Sequence, residues 1–364
     1  MTAPAWSIVD MTDSIPSDAI PVRSGEDLDW PRIEARLKAE MPELEGRMSV
    51  FQFPRGHANL TYLLRFGDRE LVLRRPPFGP LAPGGHDMIR EYKVLSRLWR
   101  HFDRAPRAYL ICEDESVAGA VFFVMERRTG VVIDGPIPDE LAHHPEVERR
   151  VSMALVEAMA ELHGLDPAEM GLMDLGRPHG FVQRQVSGWH KRWHLAKEGE
   201  LRLFDQVHQR LERSIPEPPR VSLVHNDLGL HNCQFDPADP DRAKSFFDWD
   251  MTTVGDPLID LGTLLNYWPE HGDDYIRNRK ENPDLTQMPP RIDMIRRYSE
   301  RTGVEVDRAR WYEAFALWKT AVVVQQIYIR YARGQTDDER FARMNQHPPI
   351  LVRLASDTLE DIGL

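Results

Sequence analysis

The sequence predicts an α+β fold in two lobes, a small antiparallel-sheet lobe with one helix and a larger, mainly helical lobe. Three observations predict it. Between Met48 and Met125, five short runs rich in Val, Leu, Phe and Tyr surround a single amphipathic helix. From Val147 onward, apolar residues recur at helical spacing. Only three further strand-like runs occur, and they bracket a tight cluster of polar residues.

Taken in order, residues 1–29 lack periodicity and read as an N-terminal extension, and Pro31–Glu40 as a short helix. Met48–Phe53, Leu60–Phe66 and Glu70–Arg75 are strands, the last two joined by the hairpin-type turn Gly67-Asp68-Arg69. Pro76–Gly85 is a Pro/Gly loop. Asp87 is placed to cap the next helix, where Met88, Tyr92, Leu95 and Trp99 share a face. Tyr109–Cys112 and Val121–Met125 complete a first lobe spanning 30–127. In the second lobe, 128–364, Val147–Leu162 is an apolar stripe with Gly164 at the C-cap position. Helices are expected at Phe181–Ala196, Glu200–Ser214, Leu258–Trp268, Pro290–Thr302, Trp311–Arg333 and Pro348–Glu360. The short strands are Arg220–Val224, Cys233–Phe235 and Lys244–Phe247, with Asp236–Asp241 as a hairpin turn. Phe315–Tyr331 reads as core, or as a wall of a binding pocket that Trp189 and Trp193 could share.

Composition narrows the function classes. The 364 residues hold 46 Lys and Arg against 58 Asp and Glu, a formal net charge of −12, which argues against nucleic acid as partner. No apolar run reaches the roughly 20 residues of a membrane span; Thr320–Ile329 is the nearest. Met1–Asp10 has no leader-like pattern. Two cysteines, Cys112 and Cys233, do not make a disulfide framework, so a cytoplasmic location is expected.

The chemistry is carried by LVHNDLGLHN, Leu223–Asn232, and by SFFDWDMTTVGDP, Ser245–Pro257. Each sets short polar side chains at a strand end. Asp227 can take a proton from a substrate hydroxyl. Asn232, five residues on, offers a neutral oxygen suited to Mg²⁺, and Asp248 offers a carboxylate oxygen suited to a metal that keeps phosphate and water as its other ligands. Together they form the acidic half of a phosphoryl-transfer site. His225 fits a structural hydrogen-bonding role better than proton transfer.

These motifs resemble the aminoglycoside phosphotransferase and choline-kinase-like branch of the protein-kinase-like fold. His225, Asp227 and Asn232 match the catalytic loop, Asp248 the metal-binding Asp within Asp-Trp-Asp, and Gly255-Asp256-Pro257 with Asp260 the turn that follows. The similarity runs from about Gly46 to the C-terminus. Arg184-Gln185 with Trp189, and Gln325-Gln326 through Gly334-Gln335-Thr336, resemble the subgroup that includes kinase-like domains fused to acyl-CoA dehydrogenases. The resemblance implies a two-lobed protein-kinase-like fold, a nucleotide-binding first lobe and a catalytic, acceptor-binding second lobe. It further implies ATP and Mg²⁺ as cofactors and a small-molecule hydroxyl as acceptor, with no nucleic acid or membrane partner. Gly56, in Pro54–Thr61, takes the place of the phosphate-covering loop. Arg74 stands where a protein kinase has Lys, with Glu91 as its ion-pair partner, and Met125 marks the adenine-facing hinge.

Three acceptor classes are compatible with this reading: an aminoglycoside, a hydroxy acid, or a hydroxyacyl thioester. Residues 1–127 carry 17 basic and 19 acidic residues and the remainder 29 and 39, an acidic excess that leans toward a cationic acceptor. The subgroup resemblance leans toward an anionic one. A catalytically inactive nucleotide-binding scaffold is the alternative function. Arg74 and the single-Gly loop favour it; the intact Asp227, Asn232 and Asp248 oppose it.

Overall fold

The hairpin of Leu60–Phe66 with Arg69–Arg75 organises the first part of the chain. In the computed structural model, which describes residues 15–54, 59–79, 86–270, 273, 287–305, 308–336 and 338–364, the chain divides into two units. The first comprises residues 1–129 and 245–251, the second 130–244 and 252–364.

In the first unit, α1 (Trp30–Glu40) precedes β1 (Met48–Gln52), β2 (Leu60–Phe66) and β3 (Arg69–Arg75). Then come α2 (Met88–Leu98), β4 (Ala108–Cys112), the one-turn α3 (Glu115–Ala118) and β5 (Phe122–Glu126). The antiparallel sheet runs β1-β2-β3-β5-β4. Strand alternation sorts its side chains. Val50, Tyr62, Leu64, Leu71, Leu73, Phe122 and Val124 form one core face beneath Trp30, Ile33 and Leu37 of α1. Val72 and Arg74 point to the other face, where α2 lies. Arg75 returns to the α3 side and donates to the Ala118 carbonyl at 3.1 Å. The β2–β3 turn is two residues long, with Gly67 at φ 56°, and Arg69 already belongs to β3. Asp87 caps α2 as expected, accepting from the Arg90 N–H at 2.9 Å.

Residues 15–29 are packed rather than extended away. Ile20 pairs with Gln52 on the edge strand β1 through two 2.8 Å backbone hydrogen bonds. The Tyr62 hydroxyl donates to the Glu26 carbonyl at 2.6 Å, and Arg127 bridges Asp18 and Glu70. This segment works by covering a sheet edge, which needs backbone pairing rather than an apolar period.

The second unit begins with β6 (Val131–Val132), α4 (Asp139–Ala142) and α5 (Val147–Gly164), followed by α6 (Phe181–Ala196) and α7 (Arg202–Arg213). The strands β7 (Ser222–Val224), β8 (Cys233–Asp236), β9 (Asp239–Phe246) and β10 (Thr253–Gly255) come next, then α8 (Leu258–Tyr267), α9 (Arg291–Thr302), α10 (Ala309–Ala332) and α11 (His347–Asp361). β7 pairs with β10, and β6-β8-β9 form a second small sheet. β9 starts five residues earlier than expected. Its Pro240 is tolerated because β9 is an edge strand. Gly164 is not the C-cap of α5; Leu165, in extended conformation, takes that position.

α8 is buried from Leu258 through Asn266 and packs against α10. Gly262 makes the close approach possible, since a Cβ there would lie under 3.0 Å from the backbone carbonyl of Tyr312. Asp256 ties the two helices, accepting from the Leu258 N–H at 3.0 Å and from the Tyr312 hydroxyl. Gly262→Ala is therefore expected to cost roughly 1–3 kcal/mol through overpacking, despite a gain of about 1 kcal/mol in helix propensity. Urea unfolding checks this; an unchanged or raised midpoint contradicts it.

Candidate active site

In the first unit, Arg74 is the one cation among three acids. Its Nη1 lies 3.1 Å from Glu91 Oε1, and its Nη2 donates to Asp248 Oδ1. The Asn59 amide oxygen accepts from Arg74 Nη2 at 2.6 Å, while its nitrogen donates to His86 Nδ1 at 2.8 Å. Arg74 and Glu91 are buried, so Glu91 is no solvated helix charge. Asp248 sits at φ 69°, a left-handed conformation that Asp tolerates better than most residues. The segment is held by Phe246, whose N–H donates to the Arg104 carbonyl at 2.9 Å, and by Trp249, whose indole donates to the Phe246 carbonyl at 2.9 Å. The Trp249 N–H also donates to Glu91 Oε1 at 3.4 Å.

With Asp250 nearby, three carboxylates surround a single guanidinium. Burial pushes Glu91 up to about 8, against the pull of Arg74 and with the help of Asp248 and Asp250. Asp250 is likewise raised, by burial and by the Asp248 charge. Arg74 is raised despite its burial, because Glu91 and Asp248 hold its charge. The acids of the cluster are hard oxygen donors. That donor set fits a divalent cation such as Mg²⁺. Asp250, the second Asp of Asp-Trp-Asp, joins the cluster, and its i+2 spacing from Asp248 is the sequence signal for it. Met125 is buried near the end of β5, paired with Val72 and Ala108. Gly56 lies outside the described residues.

In the second unit, Asp260 builds the catalytic loop. It is fully buried in the first turn of α8. Its two oxygens accept from the backbone N–H groups of His225 and Asn226, each at 2.7 Å. His163 Nε2 bonds to it at 3.1 Å, and His163 Nδ1 meets the Tyr298 hydroxyl at 2.9 Å. Burial acts to raise the Asp260 carboxyl, but the His163 hydrogen bond and the charges of His163 and His225 outweigh it and hold it below the usual range. Held from below, Asn226 adopts φ 71° and turns the chain so that Asp227 follows at the surface of a cavity. His225 is fully buried, consistent with a structural role.

Asn232 Nδ2 donates to both the carbonyl and Oδ2 of Asp227, at 2.8 and 3.0 Å. The amide nitrogen is thereby used inside the loop and the amide oxygen is directed elsewhere, the orientation a metal ligand needs. The cavity beside Asp227 measures about 360 Å³. Its wall is largely apolar, with Ile133, Leu264, Trp268, Met288, Val324 and Leu351. Among the described residues, its charged or titratable groups besides Asp227 are Asp134, His231, Tyr267 and His347. Thr320 and Val324 make α10 part of the wall, whereas Trp189 and Trp193 lie outside it. Lys319, half-buried on α10, has its Nζ 5.5 Å from the Trp189 ring. Burial lowers its affinity for a proton, while the charges of Asp227 and Asp260 raise it.

Glu91 gives a pH dependence with a definite sign. Between its ordinary 4.5 and about 8, the folded protein holds a proton that the unfolded chain has released. Its contribution to stability is present below 4.5 and is lost as pH rises through about 8, by up to roughly 1 kcal/mol per pH unit. Urea unfolding at pH 5, 6.5 and 8 is expected to show this fall, and Glu91→Gln to flatten it. A variant with the wild-type slope would remove Glu91 as its source.

Comparison with known proteins gives the family and the fold. Residues 49–295 match the model of the phosphotransferase enzyme family. Acyl-CoA dehydrogenase family member 11 of Rattus norvegicus is 30% identical over 339 residues, which cover 90% of this chain and 43% of that protein. The chain thus spans under half the length of that relative. A crystal structure from Ralstonia eutropha JMP134, assigned to the aminoglycoside phosphotransferases, superposes with a TM-score of 0.78 at 26% identity, covering 92% of this chain and 99% of that one. The aminoglycoside phosphotransferase APH(4)-Ia, in ternary complex with AMP-PNP and hygromycin B, shares the fold at 19% identity and a TM-score of 0.55, over 88% of this chain and 98% of that one. The two-unit α+β architecture is the kinase-like one, and this chain belongs to the phosphotransferase enzyme family.

Proposed function

We propose that this protein transfers the γ-phosphoryl group of ATP to a hydroxyl of a small anionic molecule, a hydroxy acid or a hydroxyacyl thioester. The observation that carries the reading is Asp227, fixed by the Asp260-capped loop at the edge of an apolar cavity. Asp227 orients the acceptor hydroxyl and accepts its proton as the oxygen attacks phosphorus. Asn232 and Asp248, with Asp250 beside the latter, are the residues to hold Mg²⁺. When bound, that ion neutralises charge on the nucleotide phosphates. Arg74, oriented by Glu91 and Asn59, offers a planar fork to a phosphate. Its exchange for Lys keeps the charge and changes the geometry. AMP-PNP in the related APH(4)-Ia structure and GDP in that of aminoglycoside 2'-phosphotransferase-IIIa support a nucleotide as donor.

The cavity chemistry favours the anionic acceptor. A polycationic aminoglycoside needs several carboxylates, and besides Asp227 the lining offers only Asp134 among the described residues. The apolar wall suits an acyl chain; Lys319, next to the lining residue Thr320 on α10 and near enough to feel the Asp227 charge, is the cation proposed to meet a carboxylate or a phosphate. The relatives named as acyl-CoA dehydrogenases point to acyl thioesters in the same direction.

A coupled assay of ADP release over hydroxy acids, hydroxyacyl thioesters and aminoglycosides tests this. Turnover is expected with the first two classes and to fall by about 10²–10⁴ in Asp227→Ala. Preference for aminoglycosides overturns the acceptor; equal turnover in Asp227→Ala overturns the base. ATP binding by thermal shift with no turnover across the panel would instead favour the inactive scaffold. Lys319→Gln is expected to raise the acceptor KM by about tenfold, the loss of one charge-assisted contact, in steady-state kinetics. An unchanged KM would remove Lys319 from acceptor binding.

A further inference from the structure

Away from the catalytic loop, α6 and α7 bring together three side chains that the phosphotransferase reading does not use. His190 and His194 are four residues apart on α6 and share one face. Asp205 lies in the first turn of α7. His190 Nε2 is 3.0 Å from Asp205 Oδ1, and His194 Nε2 is 3.3 Å from the same oxygen. The two ring nitrogens are 3.1 Å apart. Three ligand-type atoms therefore form a nearly equilateral triangle.

We propose that His190, His194 and Asp205 form a binding site for a divalent transition-metal ion of the Zn²⁺ class, with the fourth position open to solvent. The spacing is the first argument. Bonds of about 2.0–2.1 Å in a tetrahedral centre set ligand atoms about 3.3 Å apart. The observed edges of 3.0–3.3 Å are within a few tenths of that value before any ion is placed.

Donor chemistry is the second. Two imidazoles and a carboxylate select Zn²⁺ or a neighbouring transition ion, and disfavour Mg²⁺ and Ca²⁺, which take oxygen. This separates the site from the oxygen-rich cluster around Asp248. Both ring nitrogens already face the Asp205 carboxylate, and a cation would bind all three groups at once in place of those hydrogen bonds.

Rigidity is the third. Trp193 stacks on Phe204 at 4.2 Å, and Phe204 stacks on Trp318 at 4.7 Å, which fixes α6 and α7 on α10. His208 stacks on His190 at 3.8 Å and braces that ring. The side chains of His190, His194 and Asp205 are 28%, 38% and 37% exposed, so an ion and a completing water can reach them. An occupied site clips the start of α7 to the last turns of α6.

The experiment uses the full chain, stripped with chelator and held in excess Mg²⁺ to occupy oxygen-donor sites. Zn²⁺ is titrated by calorimetry, and Co²⁺ is followed by the visible bands of a tetrahedral centre. One equivalent per chain is expected, with a raised thermal midpoint that chelator reverses. His194→Ala and Asp205→Asn are each expected to weaken binding by about tenfold or more and to abolish the Co²⁺ bands. His194 is exposed enough that its truncation leaves the core intact, and circular dichroism checks this. Absence of binding in wild type, or equal binding in wild type and both variants, overturns the site. None of these readouts depends on phosphotransfer, so the two readings fail separately.

Discussion

The buried carboxylate of Asp260 is the constraint on which the catalytic loop depends. It spends both oxygens on consecutive backbone N–H groups, those of His225 and Asn226, and takes a further bond from His163. A charge with no exposure is tolerable only if its lone pairs are satisfied in this way. The result is a loop whose backbone is fixed from the core outward. Asn226 can then stay in the left-handed region, and Asp227 is delivered to the cavity edge with its carboxylate bonded to Asn232. Asp227 is half exposed and the scaffold beneath it is not, which is how a polar site on a turn acquires definite geometry.

The first unit solves a different electrostatic problem. Arg74 shares a partly buried setting with Glu91, Asp248 and Asp250. Such a cluster is costly by itself, and the raised affinity of Glu91 and Asp250 for protons is the signature of that cost. Arg74, anchored by Glu91, Asp248 and Asn59, cannot be a mere surface charge, and its fork is oriented before any phosphate arrives.

Much of this was legible in the sequence because periodicity and turn chemistry report local geometry. The helix at Phe181–Ala196 matched to the residue, and the β2–β3 hairpin, the Asp87 cap and the His225–Asn232 loop were readable from short motifs. What escaped were elements defined by distant partners. β6 is two residues long and exists through its pairing with β8; β10 is three long and exists through β7. Residues 15–29 escaped for the same reason, since Ile20 gains its conformation from Gln52. Gly164 misled because a Gly after an apolar stripe satisfies the rule for a helix end, while the chain ends α5 with an extended Leu165 instead. The His190–His194 pair was present as H-x₃-H, but its meaning depends on Asp205, which only the packing of α6 on α7 supplies.

Net charge shows how far a global property reaches. The −12 of the chain, concentrated after residue 127, suggested a cationic acceptor. Two of the acids are committed inside the fold: Asp260 caps a loop and Asp256 joins two helices. Screening over about 8 Å at physiological salt removes most of what the exposed remainder could do at a distance. Among the described residues, the cavity is lined by apolar side chains together with Asp227, Asp134, two histidines, Asn266, Tyr267 and Thr320. A ligand there meets this lining rather than the bulk charge, because the lining alone is desolvated together with it.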